Sequence, residues 1–229
     1  MQIDTTEALA DGDWLTVAFD TYGDDLGDSA LPNGEPSGRR VEVALVIDST
    51  DTAQLMVTQA YDLWGIWHGF ETDEQVLQST ATDGAPWNPI IWVNNQPHGD
   101  GTGELFFPMT EDPIGQIGVY RGEGTKSNLD GVVITDSMIE VMIPWTLLNM
   151  PDPSAHDVFH DDVATEDVRE VVQTDGVAVV VDWNNHQVSG PRWLWPTWDQ
   201  APPTTERVKP SLALLGEVFW ELGWGGEPE

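Results

Sequence analysis

Short stretches of alternating apolar and polar residues run through most of the chain, and they predict strands. Val41-Glu42-Val43-Ala44-Leu45-Val46-Ile47 places Val41, Val43, Leu45 and Ile47 on one face of an extended segment. Met138 to Ile143 does the same with Ile139, Val141 and Ile143. In 176–183, Val177, Val179, Val181 and Trp183 share one face and Ala178 and Val180 the other, so this strand is expected to be buried on both sides. Further strands are predicted over 14–20, 54–60, 90–93, 104–107, 115–120, 131–135 and 192–195. Between them lie turn clusters such as Gly23-Asp24-Asp25, Leu31-Pro32-Asn33-Gly34 and Thr82-Asp83-Gly84-Ala85-Pro86.

Helical periodicity is scarce. The spacing predicts a helix over 161–173, with Val163, Val168, Val171 and Val172 roughly on one side. A second is predicted over 211–222, where Leu212, Leu215, Phe219 and Leu222 recur at helical spacing and Gly223 ends the run. Pro144 to Met150 fits one short turn of helix. Many short strands with few helices predict an all-β fold, an antiparallel β-sandwich of jelly-roll type with one or two short helices. No internal repeat or linker-like break divides the chain, so a single domain over 1–229 is expected. Within it, 151–173 reads as an inserted loop or helix and 200–229 as a C-terminal extension.

Composition adds a habitat. The 229 residues carry 40 Asp+Glu against 8 Lys+Arg, a formal charge of −32, spread along the whole chain. Such a field repels phosphate backbones, which argues against nucleic-acid partners. A uniform acidic coat suits concentrated salt, where a screening length of roughly 3 Å at 1 M removes the self-repulsion. A halophilic protein is therefore expected. Without Cys there is neither a disulfide frame nor a thiolate metal site. No apolar run approaches the roughly 20 residues of a membrane helix, so no membrane insertion is expected. No signal-peptide or lipidation pattern stands at Met1.

The 12 Trp are the main candidate chemistry. Trp14, Trp145 and Trp183 lie in apolar patterns and are expected in the core. Arg192-Trp193-Leu194-Trp195-Pro196-Thr197-Trp198-Asp199 differs, because an extended backbone would place Trp193 and Trp195 on one face with Trp198 beyond a Pro bend. Trp64 with Trp67, and Trp87, form secondary groups. Flat aromatic platforms bordered by polar side chains hold sugar rings, the C–H face against the indole and the hydroxyls on the polar neighbours. The candidate carbohydrate-binding set is thus Trp193, Trp195, Trp198, Trp64, Trp67 and Trp87, with Arg192 and Asp199 beside them. The loop Asp20, Asp24, Asp25, Asp28 offers clustered oxygens for a Ca²⁺ ion without EF-hand spacing. His156 and His160 form HxxxH, a metal pair only if helical. Glycosidase carboxylate pairs are defined by separation, and no pair stands out among 40 acids, so no catalytic residue is assigned.

Three segments together carry a resemblance: Trp14-Leu-Thr-Val-Ala-Phe-Asp20, Val41-Glu-Val-Ala-Leu-Val-Ile-Asp48, and Ile139-Glu-Val-Met-Ile-Pro144-Trp145-Thr-Leu-Leu148. Over roughly residues 10–185 the chain resembles family 9 carbohydrate-binding modules and the related DOMON-like β-sandwiches. The resemblance implies a non-catalytic, sugar-binding sandwich, often with structural calcium. Such modules are often appended to larger cell-surface or carbohydrate-processing proteins, which implies a polysaccharide or surface-glycan partner, further domains in a longer polypeptide, and an extracellular or surface location, with a cytoplasmic one left open. Two alternatives accompany it. One is a haem-b electron-transfer subunit of the ethylbenzene dehydrogenase type, for which Met109 and Lys126 would be the available axial pair. The other is a jelly-roll glycoside hydrolase or lyase. Glu206, Arg207 and Lys209 read as ion-pairing anchors for the tail.

Overall fold

In the computed structural model the described residues are 1–10, 12–23, 25–48, 51–63, 79–94, 98–99, 102, 106–107, 110–122, 124, 126–127, 130–160 and 170–197. Met1–Trp195 forms one compact unit. Pro196–Glu229 forms a second, whose residues beyond Thr197 lie outside the described set, as does the helix expected over 211–222.

The described strands are, in chain order, β1 (Gln2–Asp4), β2 (Leu15–Asp20), β3 (Gly27–Ala30), β4 (Pro36–Val41), β5 (Val43–Ile47), β6 (Thr52–Thr58), β7 (Ala81–Thr82), β8 (Trp87–Pro89), β9 (Trp92–Asn94) and β10 (His98–Gly99). They continue with β11 (Phe106–Phe107), β12 (Thr110–Asp112), β13 (Gln116–Tyr120), β14 (Asp130–Ile134), β15 (Met138–Val141), β16 (Asp157–His160), β17 (Glu170–Gln173), β18 (Ala178–Trp183) and β19 (His186–Ser189). Two 3₁₀ turns, Gln59–Tyr61 and Trp145–Leu148, are the helical pieces among the described residues. The fold is all-β and antiparallel-rich, with strongly curled sheets, consistent with a β-sandwich.

The large sheet runs β1-β15-β14-β13-β6-β5-β2-β18-β19, with β8 also on β6; a smaller sheet runs β4-β3-β7. The pairings β13–β14 and β3–β7 are parallel and the rest antiparallel. Cross-strand register explains the core. Leu15 faces Ile47, Val17 faces Leu45 and Phe19 faces Val43, so period-2 alternation on β2 and β5 builds one continuous apolar layer. That layer joins Leu55, Val57, Ile117, Val132, Ile139 and Val141 as the curl brings the sheet's halves face to face. The opposite face of β2, β5 and β18 contributes Ala18, Ala44 and Val180 to a second cluster with Val41 of β4 and Leu31 of the β3–β4 turn.

Several sequence expectations need correction. Val41 does not share a strand with Val43, Leu45 and Ile47. The chain leaves the small sheet and enters the large one at Glu42, whose backbone N–H binds the Phe19 carbonyl at 2.9 Å, and Val41 joins the second cluster. The helix expected over 161–173 ends as strand: Glu170–Gln173 pairs antiparallel with Asp157–His160, as suits the β-branched Val171 and Val172. Residues 161–169 lie outside the described set. His160 therefore lies on a strand, and the helical HxxxH geometry does not form. The expected strand over 192–195 is a single bridge, Val177 to Trp193. The short turn after Pro144 forms as expected, ended by Asn149 in the left-handed conformation at φ 59°.

Candidate functional site

The segment Pro191–Trp195 lies against the start of β18. The Trp193 N–H donates to the Val177 carbonyl at 2.8 Å, and the Val177 N–H donates back at 2.9 Å. Gly176 makes this approach feasible: at φ +116° it carries no side chain where a Cβ would stand 2.3 Å from the Trp193 carbonyl oxygen. The doubled backbone contact presents Trp193 outward, 58% exposed. Trp195, two residues on, is half-buried and locked. Its indole N–H donates to the Pro153 carbonyl at 2.6 Å, and His156 Nε2 donates to its carbonyl at 2.7 Å. The His156 ring meets it edge-on at 4.9 Å.

Trp195 is the middle of a three-indole cluster. Trp193 lies 5.0 Å from it and Trp145 4.9 Å, each tilted by about 35°. Trp145 opens the 3₁₀ turn after Pro144 and is 37% exposed, so it belongs to this surface cluster and not to the core as its apolar setting suggested. Trp183 is half-buried and packs on the main core, as expected. Trp14, also expected in the core, is 37% exposed, with its indole N–H on Thr16 Oγ1 at 2.8 Å.

Trp145 and Trp193 flank a cleft of about 980 Å³ that opens into the curl of the large sheet. Phe19, Leu147, Leu148, Val177 and Val179 belong to its wall, and Met142 stands exposed on its lining. Gln116 and Asp130 are the polar side chains among the described lining residues, apart from the indole N–H groups. A cleft of this size, apolar with few polar groups, is the general form of a ligand site.

The other expected platform residues divide. Trp87 is half-buried against the second apolar cluster and donates its indole N–H to the Ala30 carbonyl at 3.1 Å, which places it in packing. Trp64, Trp67, Trp198 and Asp199 lie outside the described residues. Arg192 faces inward. It pairs with Asp20, donates to the Gly176 carbonyl at 2.8 Å and lies 3.3 Å from Asp175, so its guanidinium holds the Trp193 segment to β2.

Two acids of the expected calcium loop, Asp20 and Asp28, are engaged by other groups of the protein. Asp20 is fully buried and bound to Arg192 and to the Gly23 N–H. Asp28 accepts from the N–H groups of Ala30, Gly84 and Ala85 and from Thr82 Oγ1, all at 2.6–2.9 Å. Burial pushes the Asp28 carboxyl up, but these bonds outweigh it and hold the group below the ordinary range. Asp25 is exposed, and Asp24 lies outside the described residues. Among the described residues no three acids or histidines converge on a cation position. For the haem alternative, Lys126 is exposed and does not line the cleft, and Met109 lies outside the described set. The described lining supplies neither His nor Lys.

Sequence reasoning did not anticipate one buried feature beneath the site. Glu42 is fully buried. One oxygen accepts from the Thr21 N–H at 2.7 Å, and the other, Oε1, has no hydrogen-bond partner. Gly27 leaves that oxygen its space, since a Cβ there would stand 2.4 Å from it. Burial, then the charge of Asp20, push the Glu42 carboxyl well above its ordinary value of 4.5. Asp20 is itself raised by burial, against the pull of Arg192. Burial and the neighbouring Asp20 thus favour the protonated form of Glu42, while Arg192 favours the ionised form of Asp20. A carboxyl raised in the fold binds a proton that the unfolded chain releases, so stability falls as pH rises above about 4.5. Glu42→Gln is expected to flatten that decline, matching the parent near pH 4 and exceeding its stability at pH 7. Urea midpoints measured from pH 4 to 8 check this; parallel pH profiles would contradict it.

No family model matches the chain, and neither a curated protein nor a solved structure matches it.

Proposed function

We propose that the protein is a non-catalytic binding module that holds a glycan on the Trp145–Trp195–Trp193 cluster, in a protein adapted to concentrated salt and placed outside the cell or at its surface. The observation that carries this reading is the outward Trp193 ring beside a locked Trp195, at the mouth of a large cleft. A rigid indole presents its face at little entropic cost, and a pyranose offers a matching C–H face. The motif resemblance supports the same class of ligand. The acidic surface supports the solvent, and it leaves neutral sugars as better partners than acidic ones.

Trp193→Ala tests the platform. Losing one stacked aromatic contact corresponds to about 1.5–3 kcal/mol, so affinity is expected to fall roughly ten- to hundredfold in tryptophan-fluorescence titrations with neutral oligosaccharides in molar salt. The melting temperature is expected to move by no more than a few degrees, because the ring is largely exposed. Unchanged titration curves would remove this cluster as the binding surface.

A further inference from the structure

Resting on the glycan reading, we infer that the ligand is an amphiphile with a neutral sugar head, its head on the indole rim and its apolar chain in the cleft behind. Three observations converge on this class. First, the lining is almost wholly apolar, with Phe19, Ile117, Val141, Leu147 and Val179 among it. Gln116 and Asp130, its polar side chains among the described residues, cannot satisfy the hydroxyls of a sugar taken inside. Each hydroxyl buried without a partner weakens binding roughly five- to hundredfold, so a polyol stays at the mouth. Second, the volume of about 980 Å³ stands at the upper end of small-ligand sites, far more than rings stacked on the rim would use. The volume continues inward to buried core residues of β2, β13 and β15, Phe19, Ile117 and Val141, which is where an alkyl chain leaves water.

Third, charge selects the head group. Asp130 is the charged side chain of the described lining, which also holds the Met1 ammonium, bound to the Val141 carbonyl at 2.8 Å, and the chain as a whole carries −32. A carboxylate, phosphate or sulfate head would approach a chain of its own sign. A neutral polyhydroxyl head stacks on the indole faces without that repulsion. This combination favours alkyl glycosides and uncharged glycolipids over fatty acids and phospholipids.

The test is a fluorescence titration of the whole protein in molar salt with n-alkyl β-maltosides of increasing chain length, each below its micelle concentration. Maltose, n-alkanols and n-alkyl sulfates of the same chain lengths serve as comparisons. Affinity is expected to rise about fourfold for each added methylene, the value for a fully buried CH₂. The maltoside is expected to exceed both the alkanol and the sulfate of equal length. Val179→Phe, which narrows the cleft, is expected to weaken the chain-length dependence while maltose still quenches Trp193. Maltosides binding no better than maltose would overturn the inference and leave the glycan reading standing. Alkanols binding as tightly as maltosides would overturn both, because the sugar would then contribute nothing. Alkyl sulfates matching the maltosides would overturn the neutral-head assignment, and an absence of response to every probe would overturn the inference outright.

Discussion

Arg192→Met is expected to destabilise the protein by about 3–5 kcal/mol, the range for leaving a buried charge without its partner. Asp20 is fully buried, and its carboxylate depends on Arg192, whose side chain is 17% exposed; Arg39 stands off at 3.8 Å. That partial exposure places the expectation at the lower end of the range. The contact with Asp175 adds little, since Asp175 is largely exposed. The loss has a pH signature. Without Arg192, Asp20 can escape its unpaired charge by taking a proton, so the gap between variant and parent is expected to narrow as pH falls toward 4. Denaturant midpoints at pH 4 and pH 7 give the two values. Replacing both partners, Arg192→Met with Asp20→Leu, is expected to recover much of the loss, because a buried apolar pair of similar volume carries no desolvation penalty. Equal losses at both pH values, with no recovery in the double variant, would mean the pair is not the source.

The strands that build the core were legible because period-2 alternation is a local signal with a global consequence. Leu15, Val17 and Phe19 had to share a face, and they do. The same signal failed at Val41, because alternation cannot tell a straight strand from one that switches sheets, and Glu42, the residue at the switch, looked like an ordinary outward polar position. The hairpin between β18 and β19 was readable but missed: Asn184-Asn185, both at positive φ, is the expected chemistry of a two-residue turn. At the site, pairing Trp193 with Trp195 by their spacing was sound, since they do stack. What spacing could not supply was the third ring. Trp145 lies about fifty residues earlier, and only the return of the chain after Pro144 brings it to Trp195. Arg192 misled for a related reason. A cation beside tryptophans suggests a ligand contact, whereas the acid it serves, Asp20, lies 172 residues away in sequence. Proximity in sequence does not fix direction among the acids between Asp20 and Asp28 either: Asp20 turns to Arg192 while Asp28 turns to the turn at Gly84 and Ala85.

Gly176→Ala is expected to damage stability and binding together, which separates it from Trp193→Ala. At φ +116° an L-residue stands outside even the left-handed region that Asn tolerates, a strain of about 1–3 kcal/mol by itself. Its Cβ would also stand 2.3 Å from the Trp193 carbonyl oxygen and 2.8 Å from its carbonyl carbon, and both are backbone atoms that no rotamer can move. The segment must therefore retreat from β18. Retreat breaks the two hydrogen bonds between Val177 and Trp193, each contributing about 1 kcal/mol, and pulls Trp193 away from Trp195. A total loss of about 3–5 kcal/mol is expected in denaturant titrations, with ligand affinity falling at least as far as in Trp193→Ala, because the platform is displaced whole. The two variants together locate the origin of binding. Weak binding in Trp193→Ala with full stability assigns the energy to the ring. Weak binding in Gly176→Ala, measured well below its denaturation midpoint, assigns the geometry to the bridge that holds the ring outward. If Gly176→Ala kept full affinity despite its lower stability, the bridge to Val177 would not be what orients the rim, and the cluster would owe its arrangement to the Trp195 contacts with Pro153 and His156 alone.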